Sequence, residues 1–301
     1  AIIPEPLMGA VACRLSARLL VGLGAMFTAA CSSLAPQTPD PDLITRMAAA
    51  DVVLLGELHD NVAQHRLRLD WLRALSDRAP ITLVFEHLDA DAQARLDQAR
   101  RAQDPARPVA ERARGIAEAA NFRFDGWDWA LIGPVIELAL ERNLPIRAAN
   151  LSAREAFSIA RGQSHPLAGV VPRGWNDDLE RKLSDTIREG HCGVLPESMI
   201  PAMVRAQRAR DAQLAQAVTE ALAGGRKPVL LAGNGHVRTD IGVPRYLRDR
   251  LGNQTIVAIG LLEAPASPGD GIFDAVVVTA AQPRPDPCES LRKRFGAKPH
   301  G

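Results

Sequence analysis

The sequence predicts an α/β fold: a mostly parallel sheet flanked by helices, with a ligand crevice at the carboxyl ends of the strands. Three observations predict it. Short runs that are apolar throughout recur along the chain, helical patterns lie between most of them, and several runs finish in polar, ligand-capable side chains. Strands buried on both faces read as unbroken apolar runs, which is the mark of a parallel sheet covered by helices on each side. A chain of 301 residues is long enough to bury a core of that kind.

The first segment, residues 1–31, reads as an export signal. Arg14 and Arg18 form a basic n-region, LLVGLGAMFTAA (19–30) is an apolar h-region too short for an ordinary membrane span, and Thr28-Ala29-Ala30-Cys31 is a run of small residues ending in cysteine. Met8 stands at a suitable distance ahead of the basic region to be the start. The run is similar to the lipobox of bacterial lipoproteins, although Thr28 stands where leucine is usual. That resemblance implies a lipid on Cys31, and Ser32 after it implies an outer-membrane address facing the periplasm. A plain cleaved signal with Cys31 incidental is the alternative. Residues 32–43, SSLAPQTPDPD and one residue more, are too poor in apolar side chains to fold and read as a flexible tether. Residues 44–301 then form a single α/β domain.

The first strand is VVLL (52–55), followed by NVAQHRLRLDWLRAL, where Leu67, Trp71 and Leu75 fall at i, i+4 and i+8 and Leu69 and Leu72 widen the stripe into an amphipathic helix. ITLVF (81–85) is the second strand and DADAQARLDQARRAQ the helix after it. WALIGPVIELALERN is helical around Pro134, and LPIRAA (144–149) is the next strand. SMIPAMVRAQRARDAQLAQAVTEALAGG reads as a long helix in which Pro201 marks a start or kink. PVLLA (228–232), TIVAIGLL (255–262) and DAVVVTA (274–280) complete the strands.

Composition excludes some functions. The formal net charge is +1, from 36 Lys+Arg against 35 Asp+Glu, so no electrostatic field calls for nucleic acid. Gly233 and Gly235 lack the third glycine of G-x-G-x-x-G, since Arg238 stands there, and there is no phosphate-binding G-x-x-x-x-G-K-[ST], no H-E-x-x-H, no G-x-S-x-G and no paired C-x-x-C. With Cys13 in the signal and Cys31 assigned to lipid, Cys192 and Cys288 remain as an even pair in an oxidising compartment. A disulfide between them would pin the C-terminal tail to the body, and two free thiols are the alternative.

The strand ends carry the chemistry. VVLL leads to Glu57 and His59, ITLVF to Glu86 and His87, PIRAA to Asn150, and PVLLAGNGH to Asn234 and His236. In a parallel sheet these ends share one edge, where ligand crevices form, so residues scattered along the sequence converge there.

LLGELHDN, LPIRAAN, HCGVLP followed by MVRAQRARDAQLA, and LLAGNGHVRTDIGVP together resemble the ChaN-like family of haem-binding, iron-regulated bacterial lipoproteins. The resemblance runs in order over residues 45 to 290. That family is similar to a broader group with erythromycin esterases and the Tiki/TraB proteins, which share Gly-x-x-His signatures like Gly56 to His59 and Gly233 to His236.

The resemblance implies haem binding in haem or iron acquisition, with a homodimer if two haems stack and a haem receptor as a further partner. Haem needs an axial ligand and an apolar slot. Tyr246, the only tyrosine, and His236, His59 and His87 are the candidates. Gln207, Arg210 and Asp211 share one helix face, where Arg210 would meet a propionate and Asp211 would anchor a site histidine. A surface charge cluster is the alternative for that face. Met199 and Met203, four apart, line the slot or join the core. The competing function is a hydrolase, either with Zn²⁺ or Mn²⁺ on Glu57, His59, Glu86 and His236, or metal-free, with Glu57, His59 and His236 catalytic, His59 as base and Glu57 orienting it. Trp127 and Trp129 are expected to seal a helix start, and His65 to be solvated or capping. His165 and His300 carry no argument.

Overall fold

The computed structural model describes residues 40–266 and 271–295. The signal segment with Cys31, most of the tether and His300 lie outside the described residues. The body begins at Asp40, whose Oδ1 accepts from the Asp42 amide (2.9 Å) and caps α1 (Pro41–Ala49). Proline in the first turn needs no hydrogen-bond partner, and Leu43, Ile44 and Met47 bury one face, so the helix starts inside the stretch expected to be tether.

The remaining elements are β1 (Val52–Leu55), α2 (Val62–Ser76), β2 (Ile81–Asp89), α3 (Gln93–Arg101), α4 (Val109–Ala119), α5 (Trp129–Glu141), β3 (Ile146–Asn150), α6 (Ala153–Ala160), α7 (Asp177–Gly190), α8 (Ile200–Ala223), β4 (Lys227–Leu231), α9 (Asn234–Val237), α10 (Val243–Leu251), β5 (Ile256–Glu263), β6 (Ala275–Thr279) and α11 (Pro287–Phe295), with one or more helices between successive strands up to β5. The strands form one six-stranded sheet in the order β3-β2-β4-β1-β5-β6, with every neighbouring pair parallel. All carboxyl ends therefore face one edge.

Successive side chains of a strand point to opposite faces. Val53 and Leu55 accordingly join a core with Leu83, Phe85, Val229 and the buried sides of α1, α2, α4 and α5. Val52 and Leu54 join a second core with Val84, Leu230 and small residues of α8 such as Ala212 and Ala215. Pro134 lies inside α5 and Pro201 in the first turn of α8.

Beyond β6 the chain forms a strap. Gln282 Oε1 accepts from the Val62 amide and its Nε2 donates to the Asp60 carbonyl, both at 2.9 Å. Arg284 donates to Asp60 Oδ2 (2.7 Å) and to Glu263 Oε2 (2.6 Å). A disulfide joins Cys288 in α11 to Cys192 after α7, with Cα atoms 5.7 Å apart. Among the described residues no helix is long and apolar enough to cross a membrane.

Candidate functional site

The edge where β1, β2 and β4 end carries two buried polar groups. Gly56 continues the β1 ladder by donating to the Ile259 carbonyl (2.8 Å), and a side chain there would strike Asn234 and Val237. This close approach turns Glu57 inward. Its Oε1 accepts from His59 Nδ1 at 2.8 Å and from His87 Nε2 at 3.0 Å, while Oε2 is ion-paired with Arg68. Burial alone would raise the Glu57 pKa. Arg68 and the two imidazole hydrogen bonds outweigh it and hold the carboxyl well below its usual range.

His65 is part of this group, contrary to the solvated or capping role expected of it. It is buried on the core side of α2, with Nε2 3.1 Å from the His59 carbonyl and Nδ1 accepting from Arg68 Nη2 at 3.1 Å. Those bonds fix the neutral tautomer, and burial, with Arg68 against it, lowers its pKa to about 4. Arg68 is not singled out by the sequence, although it follows Gln64 by four and precedes Leu72 by four; a charge on a buried stripe is the signal that could have found it.

The second group centres on His236. Its Nδ1 is 2.5 Å from Asp211 Oδ1 and its Nε2 3.3 Å from Glu86 Oε1, while Glu86 Oε2 accepts from the Gly233 amide (2.7 Å). Burial would lower the His236 pKa, but the two carboxylates facing it raise it to about 10. Gln207 Nε2 stands 3.2 Å from His236 Nδ1. Asn234 serves the scaffold, since its side chain exchanges hydrogen bonds with the Leu261 backbone and ties the β4 loop to β5. Arg210 Nη1 donates to Asn150 Oδ1 (2.6 Å) and the Leu151 carbonyl (3.3 Å).

The structure separates the axial-ligand candidates. Tyr246 is 2 % exposed in the second core and faces Arg208, so its phenol is closed to a haem outside the chain. His236 has both ring nitrogens facing carboxylates, and His87 is buried. His59 differs: its side chain is 44 % exposed, and no protein partner meets its Nε2 among the described residues. A Cβ on Gly233 would stand 2.8 Å from that nitrogen, so only a residue without a side chain fits against the ring there. Trp127, expected as scaffold, meets both His59 and His87 edge-on, with ring centroids 4.7 Å apart in each case.

The expected four-residue metal set does not assemble. Among the described residues the group with ligand atoms within 4.8 Å of one another is Glu57, His59 and His87. Glu86 and His236 instead face each other, with His236 Nε2 3.3 Å from Glu86 Oε1. Met203 packs against a third apolar cluster that includes Leu183, Ile187 and Val204, and Met199 is partly exposed.

Residues 43–247 match the family described as haem-binding uptake, Tiki superfamily, ChaN. The chain belongs to the ChaN family. Its structure is similar to that of ChaN of Campylobacter jejuni, whose haem binding is cofacial, with a TM-score of 0.64 and 25 % identity over 78 % of this chain and 89 % of that one. It also overlaps a mutant of the erythromycin esterase EreC in its open conformation, at a TM-score of 0.44 and 14 % identity over 85 % of this chain and 83 % of that one. No curated protein sequence matches. The ChaN-family match takes in Glu57, His59, Glu86, His87, Arg210 and His236, whereas the strap and α11 lie beyond it.

Proposed function

We propose that this protein binds haem at the strand-end crevice with His59 as the axial ligand, as an outer-membrane lipoprotein anchored through Cys31 and acting in haem or iron acquisition. The observation that carries the ligand assignment is the state of His59. Its Nδ1 is tied to the Glu57 carboxylate, its Nε2 is unpartnered among the described residues, and its ring is exposed where the other site histidines are buried. A carboxylate behind a ligating imidazole fixes the tautomer and raises the basicity of the outward nitrogen. Bound haem would supply an iron whose affinity and redox behaviour follow its axial ligand and surroundings. Trp127 offers an aromatic wall beside the ring.

Titrating haemin into the mature chain, followed by its Soret band, tests this reading. Saturable binding that is lost in His59→Ala and kept in Tyr246→Phe supports it; weak, non-saturable binding unchanged in His59→Ala would sink it. The cofacial binding of the C. jejuni protein implies a second copy, so haemin should shift the sedimentation of this chain towards a dimer. Fatty-acid labelling lost in Cys31→Ala would support the anchor.

A second reading rests on Glu57, His59 and His87, which could hold Zn²⁺ or Mn²⁺ for hydrolysis. Arg68 speaks against it. The guanidinium already neutralises Glu57, and a divalent cation would add like charge to a buried site. Metal analysis of the purified protein, with ester hydrolysis before and after chelation, decides between the readings.

A further inference from the structure

His59 is held at two points by one closed ring of polar contacts. From its side chain, Nδ1 meets Glu57 Oε1 at 2.8 Å, and the other carboxylate oxygen is ion-paired with Arg68. Arg68 Nη2 in turn stands 3.1 Å from His65 Nδ1, and His65 Nε2 stands 3.1 Å from the His59 carbonyl. The ring therefore leaves His59 through its imidazole and returns to it through its backbone. Glu57, Arg68 and His65 are buried, while the His59 side chain reaches solvent.

The donors and acceptors of this ring fit together in one direction. A guanidinium donates and never accepts, so His65 Nδ1 carries the lone pair and the His65 proton sits on Nε2. That N–H faces acceptors alone, the His59 carbonyl and, at 3.5 Å, Glu57 Oε2. The ion pair with Arg68 keeps Glu57 an acceptor, so His59 donates from Nδ1 and His87 from Nε2 to the same Oε1, at 2.8 and 3.0 Å. The lone pair of His59 is thereby left on Nε2. Arg68, the member that can only donate, sets both branches.

Packing does not account for Arg68. Its Nε and Nη1 are fully buried and meet no hydrogen-bond partner among the described residues, which costs stability. An apolar side chain in the same place would avoid both that cost and the burial of a charge. What the guanidinium supplies is its contacts with Glu57 and His65.

We propose that Arg68 and His65 are positioning residues for His59: together they fix which ring nitrogen carries the proton and where the ring stands, and so keep a lone pair on Nε2, the nitrogen without a protein partner among the described residues. The proposal rests on the haem reading, in which that lone pair binds the iron, and it gives α2 the task of preparing the ligand. Glu57 and His59 follow β1, whereas His65 and Arg68 stand at i and i+3 on α2 and so share a face. The ring ties the strand end to the helix, with His59 as the member that faces outward.

The test reads the mature chain without haem first. Nitrogen NMR of the isotopically labelled protein, at a pH where both rings are neutral, should find the proton of His59 on Nδ1 and that of His65 on Nε2. His65→Leu removes both bonds of that ring, whereas His65→Gln keeps an acceptor for Arg68 and a donor for the His59 carbonyl. In His65→Leu and in Arg68→Met the His59 signals should become a mixture of the two tautomers, and haemin affinity, followed by the Soret band, should fall about tenfold to a hundredfold. His65→Gln should restore the single tautomer and most of the affinity. A wild-type His59 with its proton on Nε2, or a wild-type His65 with its proton on Nδ1, overturns the proposal before any variant is made. A His65→Leu chain that loses stability yet keeps the wild-type tautomer and affinity also overturns it, and makes the ring a packing feature. If His65→Leu disturbs the expected tautomers but the wild type binds no haemin, the haem reading falls while the positioning of His59 stands. The wild-type spectra decide the direction of the ring even where Arg68→Met or His65→Leu folds poorly.

Discussion

Asp211 Oδ1 lies 2.5 Å from His236 Nδ1, and both side chains are buried. With Glu86 3.3 Å from the other nitrogen, His236 stands between two carboxylates that favour its charged form. Burial opposes the charge, yet the carboxylates hold the folded-state pKa at about 10, against an ordinary value near 6.5.

A pH dependence with a definite sign follows. A raised histidine pKa contributes stability that is fully present below about pH 6.5 and is lost as pH rises towards 10. Urea midpoints measured from pH 6.5 to 10 should therefore fall, by on the order of 1–3 kcal/mol in stability. His236→Gln should be less stable at pH 6.5 and show a flatter profile. A wild-type profile that rises over this range would contradict the imidazolium.

Removing the charge of Glu57 should be costly. Glu57→Gln leaves Arg68 buried without its counter-ion, a change worth about 3–5 kcal/mol. Arg68→Met alone should also destabilise, and the double variant Glu57→Gln, Arg68→Met should lose less than the sum of the two. A double-mutant cycle by chemical denaturation measures the coupling, and strict additivity would mean that the two side chains do not act as a pair.

Gly233→Ala should separate binding from folding. Its methyl would crowd His59 Nε2, which stands 2.8 Å from the Cβ position, and the exposed ring can tilt outward to make room. Haemin affinity should fall at least about tenfold, with the melting temperature lowered by only a few degrees, on the order of the effect of 1 kcal/mol. Unchanged affinity would show that ligands do not approach from the Gly233 side.

The strap should steady the loop that carries His59. Arg284→Ala removes the bonds to Asp60 and Glu263, and reducing the Cys192–Cys288 disulfide frees the strap at its other end. Hydrogen exchange in residues 57–62 should quicken in either case, most when both are done, while β4 stays protected. No change in that loop would confine the strap to a purely peripheral role.

Much of this site is legible in the sequence because strand ends are legible. Unbroken apolar runs locate every strand, and the polar residues immediately after them, Glu57, His59, Glu86, His87, Asn150 and His236, do gather at one edge. Direction and burial are what the sequence does not reveal. His59 reads as a strand-end site residue and His65 as a solvated or capping residue of the next helix, yet His65 is buried and closes a hydrogen-bond chain with Arg68 beside the same Glu57. Tyr246 follows a motif rich in site residues, but its own helix turns it into the core. Several helices leave little trace because their apolar content is slight: α7 buries only Leu183 and Ile187, and α6 is short, though its Ser152/Glu155 capping box is a readable signal.

The strand order has a consequence for how the molecule comes into being. β4 is inserted between β1 and β2, both of which precede it by well over a hundred residues, so the two earlier strands never pair with each other and are joined only through the later one. Glu57 and His59 on one side, and Glu86 with His87 on the other, are brought to their mutual distances only by that late wedge, which also supplies Gly233 and His236. Pairings so distant along the chain form slowly. A nascent chain that has not yet released residues 227–236 therefore has every histidine of the first group without the strand that brings them together, and truncation before β4 should abolish any saturable binding of haemin seen with the full chain.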